Sequence, residues 1–170
     1  MRAVVCTTFD GIDALSCVDD APEPPMTEGA VRLKVHAAGI NFADTLMCKG
    51  EYQVKPPFPF SPGLEVAGEV LEVAPGVTRV KPGDRVMATV HYGGYASEAV
   101  TDASTVYAIP DNLDFISAAA FPIVYGTSHV DLRDKLKLQA GETLLVHGAA
   151  GGVGLTAVEI AKKMGATVIA

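Results

Sequence analysis

The most constraining stretch of this chain is Gly148-Ala149-Ala150-Gly151-Gly152-Val153-Gly154, four glycines in seven residues set between segments of different period. Upstream, Glu142–His147 reads as a short buried strand. Downstream, Leu155–Met164 places apolar residues at 155, 158, 160 and 161, the spacing of an amphipathic helix. Gly165 is the expected C-cap, and Thr167–Ala170 opens a second strand. Strand, turn, helix and strand make a βαβ unit, which demands a parallel sheet and a right-handed crossover. The turn has its own chemistry. Glycines let the main chain bend tightly and let a ligand approach it, and the following helix offers unpaired N–H groups and the positive end of its dipole. That combination seats a pyrophosphate. The spacing is G-x-x-G-x-x-G at 148, 151 and 154, because Ala149 stands where the commoner G-x-G-x-x-G has its first glycine. No G-K-[ST] follows, which argues against a mononucleotide loop. A tight turn without a ligand is the competing reading of the same glycines.

The first ~110 residues have a different character, short strands punctuated by Gly and Pro, as in a small barrel or sandwich. Val31, Leu33 and Val35 alternate with Arg32, Lys34 and His36. Leu64–Val73 repeats the alternation with acids at 65, 69 and 72, and Pro75-Gly76 ends it. Lys81-Pro82-Gly83-Asp84 has turn chemistry, and Arg85–Val90 leaves it as a strand. Tyr95–Val100 and Thr105–Ile109 complete the set. Two stretches depart from this pattern. Asn41–Lys49 reads as a short helix that Asn41 can cap. Lys55–Pro62 holds four prolines in eight residues and must be extended. After Asp111 the period becomes helical, with Pro122 splitting or kinking the stretch Asp114–Lys137.

Composition bounds the partners. The chain has 170 residues, 49% hydrophobic and 19% charged, so it is globular. Its net charge of −7 and scattered basic residues argue against nucleic acid. No apolar run approaches the ~18–20 residues needed to span a bilayer, and the N-terminus lacks a signal peptide's apolar core, so the default expectation is a cytoplasmic protein without a membrane partner. Cys6, Cys17 and Cys48 are odd in number and form no C-x-x-C pair, so neither a disulfide framework nor a zinc knuckle is indicated. Cys48 is expected to be buried or inert. The four histidines are far apart, and His147 at the strand end is expected in the core.

The segments AAGINFADTLMCKGEY, PFPFSPGLEVAGEV, VKPGDRVMA, GGYASEAV and VHGAAGGVG, in this order, closely resemble the medium-chain dehydrogenase/reductase superfamily, and within it the zinc-independent NADPH:quinone oxidoreductase (zeta-crystallin-like) branch. The resemblance covers nearly the whole chain. It implies an α/β protein: a GroES-like β-rich catalytic domain at 1–122, followed at 123–170 by the start of a Rossmann dinucleotide-binding domain, incomplete in this chain. Zinc-binding relatives carry metal ligands at positions that correspond here to Asn41, Leu64 and Ile123, none of which is a normal zinc ligand. The expectation is therefore no metal. The resemblance implies NADPH as cofactor, NADH not being excluded, with a quinone or α,β-unsaturated carbonyl as substrate and a homodimer at full length. Asn41 and Tyr52 are the expected catalytic residues at the nicotinamide end of the cleft, where an oxygen that gains charge needs donors. Asn41, Thr127, Gly148, Ala150, Gly151, Gly152, Val153 and Gly154 are the expected cofactor contacts. Asp44 is expected to be structural. Leu46 stands where relatives often carry a Tyr, which shifts weight from quinones toward enones and enoyl thioesters.

On this reading the 170 residues are a front portion, inactive alone. The residue that separates NAD from NADP should lie about 20 residues beyond the glycines, past Ala170. Two further readings stand beside the hydride-transfer enzyme: an enoyl- or acryloyl-CoA reductase of the same branch, and a non-catalytic NADPH-binding protein.

Overall fold

The computed structural model describes residues 1–170. The chain divides into two compact units, Met1–Ala120 and Phe121–Ala170.

The first unit is built on a five-stranded antiparallel sheet. Its strands are β3 (Ala30–Ala38), β4 (Glu65–Val73), β5 (Arg85–Thr89), β6 (Glu98–Asp102) and β7 (Val106–Ala108), in the order β6-β3-β4-β5-β7. β1 (Ala3–Cys6) and β2 (Leu15–Val18) form a separate antiparallel pair. Val31, Leu33, Val66, Val70, Val86, Ala88 and Val106 meet in one buried cluster on one side of the sheet. This alternation is what the sequence pattern required. β3 and β4 pair with two register shifts, and at the second of them Gly68 lies so close to Lys34 that any Cβ would overlap its carbonyl oxygen.

Two short helices belong to this unit, α1 (Phe42–Cys48) and α2 (Phe115–Ala119). Asp114 caps α2, its carboxylate accepting from the Ser117 N–H at 2.8 Å. α2 covers the second face of the sheet, where Ala118 and Ala119 pack with Ala67 and Ile109. β6 departs most from its expected limits. Tyr95–Ser97 is not part of β6, because this segment pairs elsewhere: Val4 donates to the Tyr95 carbonyl at 2.8 Å and Tyr95 donates to the Pro62 carbonyl at 2.9 Å.

The second unit holds α3 (Pro122–His129), β8 (Thr143–Leu145), α4 (Gly152–Lys163) and β9 (Thr167–Ile169). Pro122 sits at the first turn of α3, the position where its missing N–H costs nothing. The helical path continues as a wider π-helical stretch, Val130–Lys135. β8 and β9 pair in parallel, as the βαβ reading requires. α4 ends in a Schellman motif, with the Gly165 N–H on Lys162 O at 3.1 Å and the Ala166 N–H on Ala161 O at 3.0 Å. Gly165 has φ +83°, which is why a glycine stands there. Ala161, Leu132 and Leu138 form this unit's core. β8 is less buried than its sequence suggests. Thr143 and Leu145 are exposed, and so is His147, contrary to the expectation of a core histidine. The sheet has two strands, and the alternate side chains of β8 point away from the face that α4 covers. No helix is long and apolar enough to cross a membrane.

Cys6 and Cys48 are buried, whereas Cys17 is exposed. Burial, reinforced by neighbouring Cys6 and Asp44, pushes the Cys48 thiol up to about 11. Thiolate is the reactive species, so Cys48 stays inert at neutral pH. A chromogenic disulfide reagent at pH 8 is expected to titrate one thiol rapidly in this chain and three after unfolding. Rapid reaction of a Cys48-only variant would contradict this.

Candidate functional site

The expected residues fall in both units. Asn41 and Tyr52 belong to the first, Thr127 and the glycine turn to the second.

In the first unit the site is organised around α1. Asn41 is its N-cap residue, and the Asp44 N–H donates to the Asn41 backbone carbonyl at 3.0 Å. Asp44 Oδ2 accepts the Asn41 N–H at 2.8 Å and the Tyr95 hydroxyl at 2.6 Å. Asp44 is only 4% exposed, and its other oxygen, Oδ1, has no hydrogen-bond partner. The Asn41 side chain turns the other way, and its Nδ2 donates to Glu65 Oε1 at 2.9 Å. Tyr52 lies in the turn after α1, half-buried.

Tyr95 reaches Asp44 because two loops close on each other. The Gly93 N–H bonds Ser61 O at 2.7 Å, Gly94 bonds Gly63 O at 3.2 Å, and Tyr95 bonds Pro62 O at 2.9 Å. Gly63 has φ +97°, and a Cβ there would stand 2.7 Å from the Tyr95 ring. Burial, followed by the Asp44 hydrogen bond, raises the Tyr95 phenol well above its ordinary value. It is therefore a fixed donor to Asp44 and does not ionise at neutral pH.

Sequence reasoning missed Glu65 and Tyr95. In the sequence Glu65 is one of three acids in the alternation of Leu64–Val73, with nothing to set it apart from Glu69 and Glu72. It is 2% exposed, its side chain packed across Gly39 and bonded to Asn41, while Ala67 further along the same face packs with α2. The available signal was small residues on both faces of the strand, Ala67-Gly68, which mark a central strand covered on both sides.

In the second unit the turn from β8 to α4 is compact. The Gly151 N–H bonds Gly148 O at 3.0 Å, and Gly148 has φ +69°. A Cβ at Gly154 would overlap the Gly148 carbonyl oxygen and stand 2.8 Å from Ala149 Cα. A Cβ at Gly152 would stand 2.9 Å from Val124 Cγ1 of α3. So Gly154 lets the helix sit on its own turn, and Gly152 lets α3 close on α4. Ser128 of α3 joins the same contact, donating to Val153 O at 2.7 Å and lying 2.7 Å from Thr156 Oγ1. The first intrahelical bond of α4 runs from the Leu155 N–H to Gly151 O at 2.8 Å. The preceding N–H groups, Gly152 to Gly154, have no intrahelical partner. Gly151, Gly152 and Val153 are exposed, as is Thr127 on α3. Such a helix start is an anion seat. No group of three His, Cys, Asp or Glu side chains is arranged to hold a metal ion.

Comparison with known proteins bears on the family and the fold. Residues 27–111 match the alcohol dehydrogenase GroES-like domain. The chain is 42% identical over 160 residues to quinone oxidoreductase-like protein 2 of Rattus norvegicus, covering 94% of this chain and 45% of that protein. A probable oxidoreductase from Mycobacterium abscessus superposes with a TM-score of 0.89 at 42% identity, covering 99% of this chain and 54% of its own. The quinone oxidoreductase of Thermus thermophilus, whose structure was also determined in complex with NADPH, gives a TM-score of 0.84 at 38% identity, covering 99% of this chain and 52% of its own. The chain spans about half the length of the curated relatives it matches. Domain match, sequence identity and superposition together place it in the medium-chain dehydrogenase/reductase superfamily, among the quinone oxidoreductase-like proteins.

Proposed function

We propose that the full-length protein is an NADPH-dependent, zinc-independent oxidoreductase that delivers hydride to a quinone or an α,β-unsaturated carbonyl. The observation that carries the reading is the glycine turn. Its Gly154 leaves no room for a side chain against Gly148, and the N–H groups of Gly152–Gly154 open a helix without intrahelical partners. This suits a pyrophosphate. The T. thermophilus relative that binds NADPH supports the choice of cofactor.

NADPH, when bound, supplies the hydride. In this reading residues 123–170 hold it: the N–H groups at Gly151–Gly154 and the Ala150 backbone take the pyrophosphate, and Thr127 hydrogen-bonds near the nicotinamide. Residues 1–122 handle the substrate. Asn41 donates through its amide, and Tyr52 donates its hydroxyl to the oxygen that gains negative charge. At the positions where relatives bind zinc, an amide, a leucine and an isoleucine offer no metal chemistry, so charge falls to these donors. The quinone substrate, the homodimer and a cytoplasmic location belong to the same reading.

The test is NADPH oxidation by the full-length protein against a 1,2-quinone, a 1,4-quinone, an alkenal and acryloyl-CoA. Turnover with the first three is expected. Preference for acryloyl-CoA would favour the CoA-ester reductase, and cofactor binding without any turnover would favour a binding protein. Asn41→Ala and Tyr52→Phe are each expected to lower kcat/KM about tenfold, the scale of one hydrogen bond. Unchanged kcat and KM in both would remove these roles.

A further inference from the structure

We propose that Glu65 is a positioning residue for Asn41: it takes one proton of the Asn41 amide and thereby makes Asn41 an N–H donor toward its ligand. This rests on the reading of Asn41 as a ligand-binding residue.

Glu65 is 2% exposed, in a central strand whose next residue, Val66, belongs to the apolar core. A polar group buried there is costly unless it is hydrogen-bonded. Its Oε1 accepts from Asn41 Nδ2 at 2.9 Å. The arm of Glu65 crosses Gly39, where a Cβ would meet the Glu65 side chain, its Cγ being 2.6 Å away. The missing side chain at residue 39 is therefore what makes room for the carboxyl group. The backbone is tied at the same point, with the Gly39 N–H on Glu65 O at 3.1 Å. At its other end Asn41 is tied to Asp44, and Asp44 to Tyr95. Asn41 is thus held through its backbone by one buried carboxyl group and through its side chain by another.

The chemical consequence follows from the amide. A primary amide carries two N–H donors and one oxygen, exchanged by a half-turn of the group. Against an ionised Glu65, turning it would set Asn41 Oδ1 against Glu65 Oε1, two acceptors at hydrogen-bond distance. The nitrogen therefore stays toward Glu65, and of its two protons one is used and one is left. Asn41 then offers its ligand a fixed N–H, which suits an accepting atom such as a carbonyl or developing oxyanion.

The test compares Asn41→Ala, Glu65→Met, Glu65→Gln and the Asn41→Ala/Glu65→Met double variant of the full-length protein. Readouts are NADPH affinity by fluorescence, and kcat and KM separately. Glu65→Met is expected to lower kcat/KM about tenfold. Glu65→Gln, whose side-chain oxygen still accepts, should recover most of that. The double variant should be no worse than Asn41→Ala, because both changes remove the same N–H. Independent, multiplying losses would overturn the proposal, as would a Glu65→Met protein with unchanged kinetics beside an impaired Asn41→Ala. If Asn41→Ala itself changes nothing, the reading of Asn41 fails first. Should Glu65→Met fail to fold, the unaltered protein decides. With 15N-labelled asparagine, one Asn41 side-chain proton should lie downfield and exchange slowly. Two equivalent, fast-exchanging protons would overturn the assignment.

Discussion

A Gly154→Val variant of the full-length protein is expected to lose NADPH binding altogether and to unfold at a lower temperature. The argument depends on a conflict of signs. Gly154 lies inside α4, where replacing glycine by a better helix former ordinarily stabilises by about 1 kcal/mol. Here any Cβ overlaps the Gly148 carbonyl oxygen and crowds Ala149 Cα at 2.8 Å. Both neighbours are backbone, so neither can rotate away, and relief requires the turn to open. Opening it separates the N–H groups of Gly152–Gly154 from the geometry that faces an anion. Overpacking of this kind costs about 1–3 kcal/mol, and Gly154→Ala should already show it. The neighbours calibrate the claim. Gly151→Ala brings its Cβ 3.4 Å from Gly148 O and should leave the melting temperature nearly unchanged. Gly148→Ala meets no atom but inherits φ +69°, a cost of about 1 kcal/mol. Thermal melts and NADPH titrations of these variants give the expected order: 151 mildest, then 148, then 154. A Gly154→Ala protein as stable as its parent would refute the packing account.

The same glycines explain why the second unit could be read from the sequence. A Gly-rich turn between a strand and an amphipathic helix is a local signal, and local backbone demands determine it. The Pro122 break, the Gly165 stop and the parallel pairing of β8 with β9 followed from residues close in the chain. The first unit was legible to the same depth wherever one face of a strand was apolar, as in β3. It was less legible where the pairing was distant. Tyr95–Ser97 alternates like a strand but divides its hydrogen bonds among segments near residues 2, 4, 35 and 62. Nothing within ten residues of Tyr95 announces that. The burial of Glu65 is hidden for the same reason. Whether an acid on a strand faces solvent depends on what covers that face, and here Glu65 lies across Gly39 and against Asn41, some twenty-five residues earlier. The link from Asn41 to Glu65 spans 24 residues and that from Tyr95 to Asp44 spans 51. Sequence reasoning named Asn41 through a motif, but the groups that orient it depend on tertiary packing.

Those groups give the second large effect. Asp44→Ala is expected to lower stability by about 2–4 kcal/mol, because it strands two donors at once. The Asn41 N–H loses its 2.8 Å acceptor at the start of α1, and the Tyr95 hydroxyl loses its 2.6 Å acceptor. Tyr95→Phe removes the hydroxyl without stranding it and should cost only about 1 kcal/mol. Adding Tyr95→Phe to Asp44→Ala should then restore part of the loss, since one stranded donor disappears. The pH dependence follows the phenol. Burial and then the Asp44 bond raise Tyr95 above its ordinary 10.0, so the protonated phenol is favoured in the folded state. A group raised on folding contributes its stability below the unfolded value and loses it as pH climbs toward the folded one. The contribution should be intact at neutral pH and decline above about 10. Denaturant melts of the unaltered protein and of Tyr95→Phe from pH 7 to 11 measure it. The difference between them should shrink on the alkaline side. A difference that stays constant through pH 11 would mean that Tyr95 is not held by Asp44.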